Sequence, residues 1–358
     1  MGKLHKSTSN LFVQIAYSIV LAVSLNLVVG FLGELSLGHA GFMCVGAYLG
    51  SYIAIALSDK IDSKLAVLVI SMVCGGLAAA FFGFVVGLPA LRLKGDYLAI
   101  VTLAFGEIVR TVCKNLPFFG GAMGLSTVKI KYDSRTDTSL YIVAFITALI
   151  VLFMVQNLVR SKHGRAITAI RDNEIAARAM GVNVTFYKLF VFVFAAFCAG
   201  VAGVLFGHFS TPVVYSKFSF NYSIEILVMV VLGGMASING SIIAAALITY
   251  INIALQAKLT GDLAALKYLI YALILILLVI FNNAPALAPI KERFSPKKLI
   301  ESRRKRKPGL VEDDAGEWRN IPTKIRMDEI LSVDVRPGNE FVPDKPEKNP
   351  PKGGSGNG

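Results

Sequence analysis

The sequence predicts an all-α fold: a polytopic transmembrane helical bundle with about eight to ten spans and a charged helix in a cytoplasmic connection. Three observations predict it. Of 358 residues, 55% are hydrophobic and only 16% charged, against roughly 25% charge in a soluble domain. Long apolar stretches recur from Leu11 to Phe281, many near the ~20 residues that cross a bilayer as helix. The net charge of +13 is gathered beside those stretches, the positive-inside pattern, which accounts for it without a nucleic-acid partner. Residues 1–290 form the membrane domain, with 160–187 a cytoplasmic loop inside it. Residues 291–358 form a basic, largely disordered cytoplasmic tail.

The first ten residues, MGKLHKSTSN, lead into an apolar stretch with no small-residue cleavage site, so the stretch reads as a retained span. Residues 11–29 form that span, and its Gln14, Ser18, Ser24 and Asn26 are expected to face other helices. Residues 30–57 carry glycine at 30, 33, 38, 41, 46 and 50, which argues for a broken or closely packed helix. Glu34 and His39 lie near its start. Two readings fit Glu34: a functional ionisable group, or a structural carboxylate that caps the next helix or sits at the headgroups.

Residues 58–64 are a short polar turn and 65–87 the next span. In LPALRLKGDYLAIVTLAFGEIVR, residues 88–110, Pro89 breaks the span, Arg92 and Lys94 mark a cytoplasmic face, and Asp96 is placed to cap a helix starting near Tyr97. Glu107 and Arg110, three apart on one helical face, are set to pair, either at the far interface or at the mouth of a polar pathway. Residues 114–138 form an irregular outer loop. Its FFGGAMGLS lacks the Gly-Lys-Ser/Thr of a phosphate loop, yet Gly120, Gly121, Gly124 and Ser126 in a glycine-rich turn make a weak site for an anion such as a carboxylate.

Residues 139–159 span again. The loop 160–187 carries five basic residues against two acidic ones and reads as helix up to a stop at Gly181. It is either a docking element for a soluble partner or an ordinary cytoplasmic loop. Residues 188–209 are the next span, and Glu225 opens the helix after it. The apolar segments 223–236 and 241–257 flank a tight turn; fourteen helical residues cover only ~21 Å, less than a hydrocarbon core. Residues 264–283 are the last span. The segment 291–307 holds nine basic residues against two acidic, so it belongs on the cytoplasmic side with 160–187. Counting back gives nine crossings and an outside N-terminus, against the weak contrary signal of Lys3 and Lys6.

The four cysteines, Cys44, Cys74, Cys113 and Cys198, are far apart in apolar segments and read as packing residues. The four histidines are isolated, and no metal-ligand spacing, Walker A motif or nucleophile elbow occurs. An active transporter built from this chain therefore draws its energy from a partner or from an ion gradient.

Five segments in order resemble the permease subunits of branched-chain amino acid ABC transporters: GELSLGHAGFMCVGAYLGSY (33–52), residues 88–110, GxxGLS at 121–126, GRAITAIRDNEIAARAMGV (164–182) and VVLGGMASINGSIIAAAL (230–247). The likeness covers about residues 11–290 and is to the M-type of the two related permeases. It implies an importer in the bacterial plasma membrane, with a sister permease, two cytoplasmic ATPase subunits holding ATP and Mg, and an extracytoplasmic binding protein. It implies no catalytic residue, metal or cofactor in this chain. In EIAARAMG, Glu174, Ala177 and Gly181 match the Glu, Ala and Gly of a coupling loop that seats on the ATPase, and Arg171, Asp172 and Arg178 belong to the same coupling helix region. Glu34, His39, Glu107, Gly121, Gly124 and Ser126 are the pathway candidates. Leucine, isoleucine and valine are the implied substrates; urea, short amides or other amino acids are the alternative, and an ion-coupled carrier a further one. The chain departs from the family in its end, FNNAPALAPI and a long tail in place of a Trp-Arg-Pro-like terminus.

Overall fold

The computed structural model describes residues 6–93, 95–130 and 139–258, with Leu273 and Ile276 as isolated points. Lys94, part of the outer loop, the span expected at 264–283, the basic segment 291–307 and the tail lie outside the described residues. Within them the chain is all helix and loop. Helix α1 (Lys6–Asn26) continues as a π-helical turn, Leu27–Leu32, and α2 (His39–Ser58) follows an irregular stretch. Then come α3 (Lys64–Ala90), α4 (Asp96–Asn115), α5 (Ser139–Arg160), α6 (Lys162–Asp172), α7 (Glu174–Ala179), α8 (Val184–Phe209), α9 (Phe220–Gly233) and α10 (Ile238–Lys258). Among the described residues, five stretches are long and apolar enough to cross a membrane: Leu11–Leu32, α2, α3, α5 and α8. The chain is a multi-pass membrane protein, as a bacterial plasma membrane permease would be.

The core is built where backbones come close. Helices α2, α3 and α8 pack against one another through small residues. A Cβ on Gly46 would strike the Gly200 backbone, and one on Gly203 the Met43 carbonyl. Helix α4 joins at Gly41, where a Cβ would lie 2.6 Å from Gly106 Cα. Small-residue seams let helices approach closely where lipid supplies no hydrophobic drive. Larger side chains fill around them: Phe42 packs on Phe192, Tyr48 on Phe119, and Tyr17 on Phe206.

Two ends of the bundle are distinct. At one, Arg92 shares a cleft with Glu174 and Arg178, so the end of α3 and α7 lie together. At the other, Leu125 pairs with Val213, Tyr48 donates to Val213 O (3.1 Å), and Lys129 meets Asp59 (3.1 Å). Because the π turn ends beside α6, α1 starts at the end away from α6–α7.

Several local expectations shift. Gly95, at φ 61°, takes the cap before α4 and Asp96 lies in the first turn, where a carboxylate still favours the helix dipole. Helix α3 runs through Pro89 and ends one residue later. Helix α9 begins at Phe220, not at Glu225, which sits in its second turn and accepts from Asn252 Nδ2 (2.8 Å). The loop 160–187 is two helices, split at Asn173. Asn173 leaves helical geometry, and its Oδ1 accepts from Ala176 N (3.0 Å), which starts the second helix afresh.

Candidate functional site

The richest polar assembly among the described residues is the corner where the π turn, α6, α7 and the start of α8 meet. Sequence sets each piece locally. Ser161 caps α6, accepting from His163 N and Gly164 N. Asn173 caps α7. Gly181, at φ 82°, closes α7: Gly181 N donates to Arg178 O (3.0 Å) and Val182 N to Ala177 O (3.1 Å), the bonding of a Schellman stop that favours glycine. Two residues on, Asn183 Oδ1 accepts from Phe186 N (3.1 Å) and opens α8. Helix α7 is therefore a six-residue unit fixed by caps at both ends.

Charges hold this unit to the membrane domain. Lys188 Nζ donates to Glu34 Oε1 (2.5 Å) and to Glu174 Oε2 (3.1 Å). Arg178 Nη2 donates to the other Glu174 oxygen (2.9 Å). Lys188 is 5% exposed, so its ammonium sits out of water between two carboxylates, a cation held by charge-assisted bonds. Arg171 pairs with Asp172 (2.9 Å) and sends Nη1 to Gly30 O at the π turn (3.2 Å). Beside this network lies a cleft of about 220 Å³ lined by Arg92, Glu174, Arg178, Thr185 and Lys188 among others. Facing outward are two large apolar side chains, Ile175 (80% exposed) and Met180 (84%), while Ala177 is buried.

Sequence reasoning grouped Arg171, Asp172, Glu174, Ala177, Arg178 and Gly181, and the fold does bring them to one corner. It adds Glu34, which sequence had placed among the pathway candidates, and Lys188, which sequence had passed over. The signal for Lys188 was a single ammonium four residues into an apolar helix, where an ionisable group needs a partner.

The remaining candidates are dispersed. His39 is buried and its Nε2 meets Ser24 Oγ (2.8 Å). Glu107 Oε2 accepts from Arg110 Nε (2.8 Å), the pairing expected from their spacing, and Oε1 accepts from Phe220 N (3.1 Å) at the start of α9. Glu107 also borders an open groove of about 490 Å³ with Thr111 and Asn115. Gly121 and Gly124 adopt φ of 58° and 82°; a Cβ on Gly124 would strike Val213 O, and Ser126 is exposed beside them. The amides of Gly120, Gly124 and Leu125 donate to Pro117, Gly121 and Val213, so three donors of that loop serve its own folding.

Comparison with known proteins adds the family. The model described as "Branched-chain amino acid transport system / permease component" matches residues 7–279. The LivM permease protein of the high-affinity branched-chain amino acid transport system of Salmonella typhimurium is 37% identical over 262 residues, which is 64% of this chain and 59% of that one. LivM of Escherichia coli gives the same identity and coverage. A probable LivM of Methanocaldococcus jannaschii is 27% identical over 328 residues, covering 79% of this chain and 94% of that one. The chain thus spans about 59% of the length of the two bacterial relatives. With a matched region that takes in every described helix except the end of α1 before residue 7, the chain belongs to the family of permease components of branched-chain amino acid transport systems.

Proposed function

We propose that this chain is the membrane-spanning permease subunit of an ATP-driven importer of branched-chain amino acids, with leucine, isoleucine and valine as substrates. Membership in a permease family makes it a transport subunit and not an enzyme. Its partners in this reading are a sister permease, two cytoplasmic ATPase subunits that hold ATP and Mg, and an extracytoplasmic binding protein. The substrate moves by alternating access, and the chain makes and breaks no covalent bond.

One observation carries the coupling role: α7 is rigidly capped yet presents Ile175 and Met180 to solvent at the charged end of the bundle. A short helix with two exposed apolar side chains, ringed by Arg178, Arg171 and Asp172, suits a groove on a soluble partner, with apolar anchors inside a charged rim. The salt bridges behind it suit force transmission: closure of the ATPases would push α7, and the Glu174–Lys188–Glu34 chain would carry that push into α8 and the segment before α2.

The test is purification and reconstitution with the ATPase subunits. Met180→Asp and Ile175→Asp should each lower ATPase retention on the permease at least tenfold. Gly181→Val, which forces a β-branched residue into positive φ, should leave membrane insertion intact and abolish ATP-dependent uptake. Retention and uptake unchanged in all three would overturn the docking role. Uptake driven by a cation gradient, with no ATPase present, would overturn the whole reading. Competition of labelled leucine uptake by isoleucine and valine, but not by urea or acetamide, checks the substrate class.

A further inference from the structure

We infer that Gly30 and Asn26 form a transmission joint that delivers movement of the α6–α7 corner to the turn between α9 and α10, making Asn26 a positioning residue for transport. This rests on the docking role proposed above and extends it to a second place in the bundle.

The joint is the π-helical turn Leu27–Leu32, all of whose residues are buried. A π turn is rare and recurs at functional sites. Gly30 sits in it with a neighbour on each side. Its carbonyl accepts from Arg171 Nη1 (3.2 Å), and the Arg171 stem lies against Gly33. On its other side, a Cβ at Gly30 would strike both Asn26 Oδ1 and the Ala236 amide. Only glycine lets the corner's arginine and the α9–α10 turn touch the same residue.

Asn26 then fastens that turn. It is fully buried, and its side chain serves the turn and the first turn of α10: Oδ1 accepts from Ala236 N (3.0 Å), and Nδ2 donates to Ser237 O (3.1 Å) and Ser241 Oγ (2.9 Å). The turn needs holding. Ala236, at φ 62°, is the single non-glycine residue with positive φ among the described residues, a conformation that persists where the surroundings enforce it. Gly234 beside it is at φ 90°, and Met235 is 64% exposed. A strained turn fastened to α1 by the Asn26 side chain, on a joint that Arg171 of the corner grips at Gly30 O, moves when the corner moves.

The experiment uses the permease assembled with its ATPase subunits, its four cysteines replaced by alanine. Spin labels go at exposed Met180 and Met235, each measured against a label at Met123 in the outer loop, with and without ATP and vanadate. In the parent both distances should shift. Asn26→Asp keeps the shape and the acceptor but loses the two amide donors. It should keep the Met180 shift and basal ATP hydrolysis, cut the Met235 shift by more than half, and lower the maximal uptake rate at least tenfold with KM unchanged. Ser241→Ala, which removes one of the three bonds, should give an intermediate loss and serves if the aspartate variant does not assemble. A Met235 shift of parental size in either assembled variant overturns the joint while the docking role stands. A Met180 label that stays fixed in the parent overturns the docking role, and the joint with it.

Discussion

Residues 33–58 and helix α5 are both apolar, yet the bundle uses them in opposite ways. In α2 67% of the membrane-crossing window is buried, and in α5 only 33%. Segment 33–58 is studded with glycine, serine, His39 and Glu34; α5 carries Ile142, Phe145, Leu149, Ile150 and Phe153 on an exposed face. In water the greasier segment goes inside. Here the bulky aliphatic face stays on the outside of the bundle, and the interior takes the small and polar residues, because close backbones and hydrogen bonds hold helices together where burial of grease gains nothing. The difference teaches that importance to the fold tracks smallness and polarity, not hydrophobicity.

That contrast can be broken or sharpened. The largest effect is expected at Lys188, the partner of Glu34. Lys188→Met leaves Glu34 without the cation it pairs with, while Glu174 keeps Arg178, and loss of one member of a buried pair costs about 3–5 kcal/mol. The measurement is thermal unfolding of the purified protein, with Glu34→Gln/Lys188→Met recovering part of the loss. Next is Gly46→Leu, which puts a side chain into the Gly200 backbone and should cost about 3 kcal/mol or more, read as loss of monodisperse protein. Ser24→Ala removes the hydroxyl that meets His39 and should cost about 1–3 kcal/mol for the orphaned ring nitrogen. The smallest effect belongs to α5: Leu149→Ala on the lipid face should change stability by no more than about 0.5 kcal/mol. If Leu149→Ala matches Gly46→Leu, α5 is packed against a partner protein and not lipid.

The sequence made the fold class legible because a bilayer permits few solutions. Apolar length identified the spans, and basic residues placed the α6–α7 loop and Arg92 at one end. The stop at Gly181 and the Glu107–Arg110 pairing followed from short-range rules. What escaped was long-range. Nothing local distinguishes Asn26 from the other polar residues of the first span, since its partners lie more than 200 residues away. Glu34 fits a pathway, a cap or the headgroups by sequence, and its pairing with Lys188 across the fold is visible only in the structure. Asn173 was visible as a residue, but its capping role split a helix that composition alone read as continuous.

The brevity of α9 bears on how the chain enters the membrane during synthesis. At fourteen residues it rises ~21 Å, short of the ~30 Å of hydrocarbon. Emerging from the ribosome alone, it lacks the reach to settle across the bilayer, and the turn after it would leave amide groups in oil. It can be retained once α10 has followed and the pair can enter as a hairpin, with Asn26, already resident in α1, supplying the hydrogen bonds that the turn lacks. A helix made before α9 and α10 thus acts as their receptor, and order of synthesis becomes part of how the fold is specified.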